Sequence, residues 1–288
     1  MLTLSVSLLA QDNPPPQDNG APPPTDAPQA NAPVTLQNFY DQLAPYGQWV
    51  NYPNYGYVFI PSVAPGFTPY STNGHWVYND AYGWTWASDY AWGWAAFHYG
   101  RWNYDASYGW FWIPDLNWGP GWVAWRNCQG YYGWAPLPYG VNINVGFGGG
   151  YNIAAEHWCF VPQAHLCELN LGAFFIPREH NYAFIQHSTI IDRMDYDNGR
   201  RFGYFKGPDR VEVEGYTHRP VEIVSVDRYR YAPARTVVVE HRGAPERVVE
   251  QRHDAPVVRQ DNHVVAERTN HAPTHFVEAR NVPQRGRH

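Results

Sequence analysis

Apolar and polar residues alternate with a period of two along the first half of the chain. The stretch GHWVYNDAYGWTW (74–86) returns as GRWNYDASYGWFW (100–112) and, in weaker form, as GQWVNYPNYGYVF (47–59). This period is that of a β-strand, in which successive side chains point to opposite faces. A helix would need a period of 3.6, and Gly and Pro recur too often for one. The pattern therefore predicts antiparallel hairpins that gather their rings on one face.

The turn chemistry predicts a register for each hairpin. Asn79-Asp80-Ala81 is typical of a loop, and a loop there pairs Trp76 with Trp84. The glycine opposite the last ring of each repeat leaves room for that ring to cover the backbone. The complete set of expected pairs is Tyr78–Tyr82, Trp76–Trp84, Gly74–Trp86, Tyr104–Tyr108, Trp102–Trp110, Gly100–Trp112, Asn51–Tyr55, Trp49–Tyr57 and Gly47–Phe59.

The hairpins are expected to join into one antiparallel meander. Residues 92–102 can fold back on 82–86, which would place Trp92 near Trp86 and Trp94 near Trp84. Repeat offsets of about 26 residues suit short strands in a twisted sheet or a small barrel. The predicted fold class is therefore all-β.

Composition divides the chain into five parts. Residues 1–10 resemble the end of a signal peptide, and 11–33 are a Pro-rich linker. Residues 34–140 form the aromatic-repeat β domain, entered through a short helix in LQNFYDQLAPYG. Residues 141–206 form an accessory region of strands and loops, in which 141–147 alternate like a strand. Residues 207–288 are a charged tail with valine pairs at 248–249, 257–258 and 264–265, which we expect to be largely disordered alone.

The rings admit two interpretations. All fourteen Trp lie between Trp49 and Trp158, and a buried ring removes roughly 150–250 Å² from water, which stabilises by about 4–6 kcal/mol. A core role is therefore expected for most of them. The alternative is that some rings stay exposed and stack on sugars or partner proteins. The candidates lie in the WGW and WGPGW loops, with polar residues nearby: Trp92, Trp94, Trp118, Trp122, Asp89, Asp115 and Asn117.

Charge and the N-terminus limit the partners and the location. The net charge is −6, without the basic excess of a phosphate-binding surface, so no nucleic acid is expected as a partner. LTLSVSLLA followed by a polar Pro-rich stretch indicates export, and no other apolar run approaches the ~20 residues of a membrane helix. We expect a periplasmic or extracellular protein without a membrane span.

The repeats resemble a known family. YGWTW…WGWAAFHYGRW and YGWFW…WGPGWVAWR…GYYGWAPLP are similar to the YXWGXW-repeat family of exported bacterial proteins, whose function is unassigned. The resemblance is strongest over about 40–140 and extends more loosely to near 191. It implies an envelope location and identifies no catalytic residue.

Candidate chemistry in the sequence is sparse. Asp80 and Asp105 fall in hairpin loops, where aspartate usually bonds the turn, so catalysis by paired carboxylates is not expected. HWCFVPQAHLC (157–167) leaves three alternatives: a Cys159–Cys167 disulfide, which export favours, a metal site with the two histidines, or free thiols. No cofactor and no catalytic residue is predicted. The sequence favours a noncatalytic structural or interaction module of the cell envelope, and it leaves open whether the partner is an envelope protein or a cell-wall glycan. The alternative is a module that binds cell-wall glycan through exposed rings.

Overall fold

Short strands make up most of the regular structure, as the sequence predicts. The computed structural model describes residues 34–141, 153–196, 202–225, 273 and 275–278. The strands are β1 (Gly47–Tyr52), β2 (Gly56–Pro61), β3 (Gly74–Asn79), β4 (Gly83–Ser88), β5 (Tyr99–Asp105), β6 (Gly109–Trp118), β7 (Val123–Cys128), β8 (Tyr131–Pro136), β9 (Cys159–Pro162), β10 (Ser188–Ile191), β11 (Met194–Tyr196), β12 (Gly203–Phe205) and β13 (Val277–Glu278). The helices are α1 (Leu36–Leu43), α2 (Gly93–Ala96), α3 (Asn181–Gln186) and α4 (Arg210–Thr217). Turns of 3₁₀-helix lie at Ala44–Tyr46, Ala155–His157, Gln163–His165, Leu171–Ala173 and Arg178–His180.

The described strands form four sheets. A five-stranded sheet has the order β13-β1-β2-β6-β5, and a four-stranded sheet has the order β10-β7-β8-β9. β11 pairs with β12 and β3 with β4 in two-stranded sheets. Neighbouring strands are antiparallel except β13 and β1, which are parallel. The all-β class is confirmed, and none of the sheets in the described part of the chain closes into a barrel.

The register of each aromatic hairpin differs from the predicted one by two residues. Trp76 pairs with Trp86 instead of Trp84, because the loop starts one residue later and closes between Asn79 and Gly83. Asn79 Oδ1 accepts from the backbone N–H of Ala81 at 2.9 Å, and Gly83 has a φ of +80°, which glycine adopts without strain. Gly56 and Gly109 close the other two loops in the same way. An even shift keeps every ring on its face, so the prediction that the paired tryptophans share one face is confirmed.

The close approach of rings to glycine backbone is also confirmed. A Cβ on Gly74 would lie 2.7 Å from Cζ2 of Trp86, and a Cβ on Gly47 would lie 2.7 Å from the Phe59 ring. Because of the shifted register, each glycine is covered by a ring diagonally across the ladder. A methyl group there would displace a buried ring.

The predicted single meander is wrong. α2 redirects the chain after β4, and β5 pairs with β6, so β3 and β4 form a separate sheet. The ring of Trp94 therefore packs 5.7 Å from Phe39 of α1. The ring of Trp92 lies 6.1 Å from Phe59 and 5.6 Å from Phe97.

The tryptophans form the core. Twelve of the fourteen are buried, and Trp110 and Trp118 are partly buried. The same cluster includes Trp158 and Phe160 from the predicted accessory region, since β9 pairs with β8 and β10 with β7. The aromatic repeats and residues 153–196 are thus packed around a shared core.

The flanking helices follow their caps. α1 begins at a capping box between Thr35 and Asn38, which confirms the predicted short helix. α4 lies inside the predicted charged tail: Asp209 caps it, and Val213 is fully buried. Folded structure therefore continues beyond residue 206. The signal peptide, the linker, most of the predicted strand 141–147 and the valine pairs lie outside the described residues. No helix in the described part of the chain is long and apolar enough to span a bilayer.

Candidate functional site

Three of the four predicted platform rings are buried. Trp92, Trp94 and Trp122 are 3%, 8% and 1% exposed, so the expectation that their loops leave them accessible is wrong. The WGW stretch folds into α2, which carries both of its rings inward. Trp118 is half-buried, and its ring stacks on His98 with 5.6 Å between centroids.

The ring of Trp122 lies beneath the partly buried guanidinium of Arg101. The guanidinium of Arg101 is 3.4 Å from the centre of the Trp122 ring, and Nε1 of Trp122 donates to the carbonyl of His98 at 2.9 Å. Burial lowers the pKa of Arg101 to about 10, and Asp115 partly opposes this shift. Burial likewise lowers the pKa of His98 to about 4. These contacts join β5 to the chain after β6. They therefore stabilise the fold and do not form a binding surface.

Two of the polar residues predicted to lie beside a binding surface, Asp115 and Asp89, take part in hydrogen bonds within the chain. Oδ1 of Asp115 accepts from the backbone N–H of Asn117 at 2.9 Å and from its side chain at 2.5 Å. Asp89 is exposed, and its backbone N–H donates to the carbonyl of Asn73 at 2.8 Å. The structure brings Asp115 and Trp122 to Arg101. Trp118 lies against His98, and Trp92 and Trp94 pack elsewhere.

The predicted disulfide is not formed. Cys128, Cys159 and Cys167 are all free thiols. β9 holds Cys159 in the core, hydrogen-bonded to Ser71, and burial raises its pKa to about 11. Cys167 follows the 3₁₀ turn Gln163–His165 and lines a cleft of about 270 Å³. Among the residues that the structure describes, no group of three or more His, Cys, Asp or Glu side chains is placed to hold a metal ion.

One exposed ring and two partly buried rings group at a different place. A cleft of about 510 Å³ lies between residues 60–68, the turn end of the β5–β6 hairpin and two 3₁₀ turns. Tyr104 is 52% exposed, and its ring centroid lies 5.5 Å from Trp110 and 5.2 Å from His157. The Trp110 and His157 centroids are 4.6 Å apart. We call Tyr104, Trp110 and His157 the cleft rings.

Polar groups border the cleft rings. The exposed Arg178 donates to Oγ1 of Thr68 at 2.7 Å and to the carbonyl of Glu156 at 2.9 Å. The Glu156 side chain is exposed at the same wall. Burial is the main cause of a lowered pKa at His157; nearby Glu156 partly opposes this shift, and Arg178 adds to it. A neutral imidazole, a carboxylate and a guanidinium therefore lie beside an aromatic surface.

Tertiary cover decides which hairpin exposes its rings. The second repeat carries the equivalent pair Tyr78 and Trp84, and both are buried. Nε1 of Trp84 donates to the carbonyl of Pro208 at 3.0 Å, and its backbone N–H donates to Lys206. Sequence reasoning missed Tyr104 and Trp110 because YNDAYGW and YDASYGW carry the same signal. The cover on the second hairpin comes from more than a hundred residues away.

Fold and site together define an all-β protein with an aromatic core and an accessible aromatic cleft. Residues 40–141 match the sequence profile of a family described as "Family of unknown function (DUF6600)". The matched range includes β1 to β8 and two of the cleft rings, whereas His157, Glu156 and Arg178 lie beyond it. No curated protein and no solved structure matched the chain.

Proposed function

We propose that this chain is a noncatalytic interaction module of the bacterial cell envelope, and that the cleft rings form its contact surface. The observation that carries the proposal is the grouping of Tyr104, Trp110 and His157 around one cleft, while most other rings are buried. Accessible aromatic residues beside polar groups are typical of interaction sites. The envelope location rests on the apolar N-terminal run, the Pro-rich stretch and the resemblance to YXWGXW-repeat proteins.

We assign no reaction to the cleft. The Arg178 guanidinium is engaged by Thr68 and by the backbone of Glu156, which orders the wall. A guanidinium held in one place at the wall of the cleft suits the recognition of a ligand or partner bound there.

Site-specific photo-cross-linking tests the interaction. A photoreactive phenylalanine analogue at Tyr104 should capture an envelope component in intact cells, and Trp110→Ala in the same chain should abolish the capture. The same analogue at Tyr196, a ring 41% exposed outside the cleft lining, is the matched control. Equal capture from both positions would contradict the cleft assignment. Recovery of the chain only with cytoplasmic markers after cell fractionation would contradict the envelope location.

The second candidate function is recognition of cell-wall glycan at the same cleft. It is favoured by the combination of rings with the exposed Glu156 and Arg178, since sugars stack on rings and bond to charged groups through hydroxyls. Co-sedimentation with purified cell-wall glycan should weaken in Trp110→Ala by about 1–3 kcal/mol, by analogy with stacking of bases on aromatic rings. Tyr196→Ala should bind as the wild type does. Wild-type protein that stays in the supernatant would exclude this candidate and leave the protein-binding proposal standing.

A further inference from the structure

One wall of the aromatic cleft carries a cation that forms no ion pair with any described carboxylate. Nη1 of Arg178 donates to the carbonyl of Glu156 at 2.9 Å, and Nη2 donates to Oγ1 of Thr68 at 2.7 Å. Both acceptors are neutral groups, so they fix the guanidinium without offsetting its charge. His157 adds no second charge near neutral pH, because burial lowers its pKa. Arg178 is therefore the one positive group in the described lining of the cleft.

Arg178 differs in this respect from every other lysine and arginine that the structure describes. Some of these form an ion pair with a carboxylate, and the others lie over an indole ring. The first group is Arg193, Lys206, Arg210 and Arg219, and the second is Arg101 and Arg126. Arg178 has neither kind of partner, although its side chain is exposed and held in place. A fixed guanidinium without a counter-ion is suited to bind an anionic group from outside.

The groups around Arg178 suit a sugar better than a peptide. The cleft of about 510 Å³ has the size of a small-ligand site. The exposed Tyr104 and the partly buried Trp110 offer an apolar contact, and the exposed Glu156 carboxylate can accept from hydroxyl groups. An acidic peptide would bring carboxylates towards Glu156, which repels them. A sugar that bears a carboxylate also carries hydroxyl donors beside it, which suit Glu156.

We propose that the cleft binds an acidic glycan, in which the sugar chain itself carries carboxylate groups. Arg178 binds a carboxylate through its remaining N–H groups, and Glu156 accepts from hydroxyls. Tyr104 and Trp110 contact the face of a sugar ring. Because hydrogen bonds between ionised groups are about twice as strong as neutral ones, the carboxylate decides which glycan binds. The inference rests on the second proposed function, recognition of cell-wall glycan, and specifies the ligand class for it.

A chemical change in the ligand tests the charge without any change in the protein. The probe is a preparation of cell-wall glycan strands freed of their peptides, so that the remaining carboxylates belong to the sugar chain. The comparison probe is the same strands with these carboxylates converted to neutral methylamides. In calorimetry, the full-length chain should bind the untreated strands about tenfold or more tightly than the methylamide strands. Added salt should weaken the binding of the untreated strands only.

Two substitutions assign the charge preference to Arg178. Arg178→Gln removes the cation, so it should bind the untreated strands about tenfold or more weakly than the wild type does. It should bind the methylamide strands with wild-type affinity, which also shows that the cleft is intact. Arg219→Gln is the matched control, because Arg219 is an exposed arginine outside this cleft. The same change of charge there should leave both affinities unchanged.

The outcomes separate this inference from the function on which it rests. Equal binding of both kinds of strand by the wild type would overturn the acidic-glycan inference and leave glycan recognition standing. A charge preference that persists in Arg178→Gln would overturn the assignment of the carboxylate to Arg178. Binding only of glycan that retains its peptides would place the carboxylate on the peptide and would also overturn the inference. No binding even of intact glycan would exclude glycan recognition itself.

Discussion

Two tryptophan substitutions distinguish a core ring from a cleft ring. Trp122 is 1% exposed and lies between the Arg101 guanidinium and Gly119. Trp110 is partly buried and borders the open cleft. Trp122→Ala and Trp110→Ala remove the same indole, so the difference between their effects reports the surroundings.

The structure gives the expected magnitudes. Removing a buried Trp side chain costs about 3–5 kcal/mol. Trp122→Ala also removes one of the two donors to the His98 carbonyl, which keeps the backbone N–H of Gly119 at 2.8 Å; the net loss of one hydrogen bond adds about 1 kcal/mol. We therefore expect a loss of about 5 kcal/mol in the free energy of unfolding. Trp110→Ala removes an edge contact with the Tyr104 ring and the burial of a side chain that is only partly buried. We therefore expect it to lower the free energy of unfolding by about 1 kcal/mol.

Denaturant unfolding followed by far-UV circular dichroism measures both losses. If Trp122→Ala lowers the free energy of unfolding by less than about 2 kcal/mol, its ring is not the packed element described above. If the two variants lose equal stability, the distinction between core ring and cleft ring is refuted.

Three further predictions concern a buried histidine, two cysteines and two glycines. Burial lowers the pKa of His98 to about 4, from about 6.5 in the unfolded chain. His98 therefore contributes about 3 kcal/mol to the free energy of unfolding. This contribution is complete above pH 6.5 and is lost as the pH falls towards 4. Unfolding free energies between pH 7.5 and 4 should show this slope in the wild type, and His98→Gln should lack that part of it. Burial raises the pKa of both Cys159 and Cys167 to about 11, so native alkylation at pH 8 should be slow and denatured alkylation complete; mass spectrometry of a linked pair would contradict the free thiols. Gly74→Ala should lower the free energy of unfolding by about 3 kcal/mol, because its Cβ would meet the Ala87 carbonyl at 2.6 Å. Gly109→Ala should lower it by only about 1 kcal/mol, because Gly109 has a φ of +71° but lies in open space. Equal melting temperatures of the two variants would refute the close approach at Gly74.

Local turn chemistry explains why the predicted register was close but wrong. The period of two placed the rings on one face, since strand geometry alone decides this. The loop start depends on which side chain caps the turn. Asn79 and Asp105 do so through their Oδ1 atoms, and this moves the closing pair to a glycine of positive φ. A pattern of rings contains no information about that choice.

The candidate site could be found only from the tertiary structure, because contacts with distant segments decide which of the similar repeats is exposed. Trp84 and Trp110 occupy equivalent places in nearly identical motifs, yet residues 206–208 cover only the first in the described structure. The polar wall of the cleft comes from Glu156 and Arg178, far along the chain from the hairpin. The alternative drawn from the sequence, that the rings of the WGW and WGPGW loops are exposed, fails for three of them. Trp92 and Trp94 are buried with α2, and Trp122 is buried beneath Arg101.

Sequence by itself determined the strand class, the shared face of the rings, the glycines beneath them and the short helix α1. These follow from residue periodicity, backbone sterics and local capping, all of which act within a few positions. Tertiary structure alone decided the separation of β3 and β4 from the five-stranded sheet, the free state of Cys159 and Cys167, and the location of the accessible cleft. Each of these depends on which distant segment packs against a hairpin, and packing between distant segments has no period in the sequence.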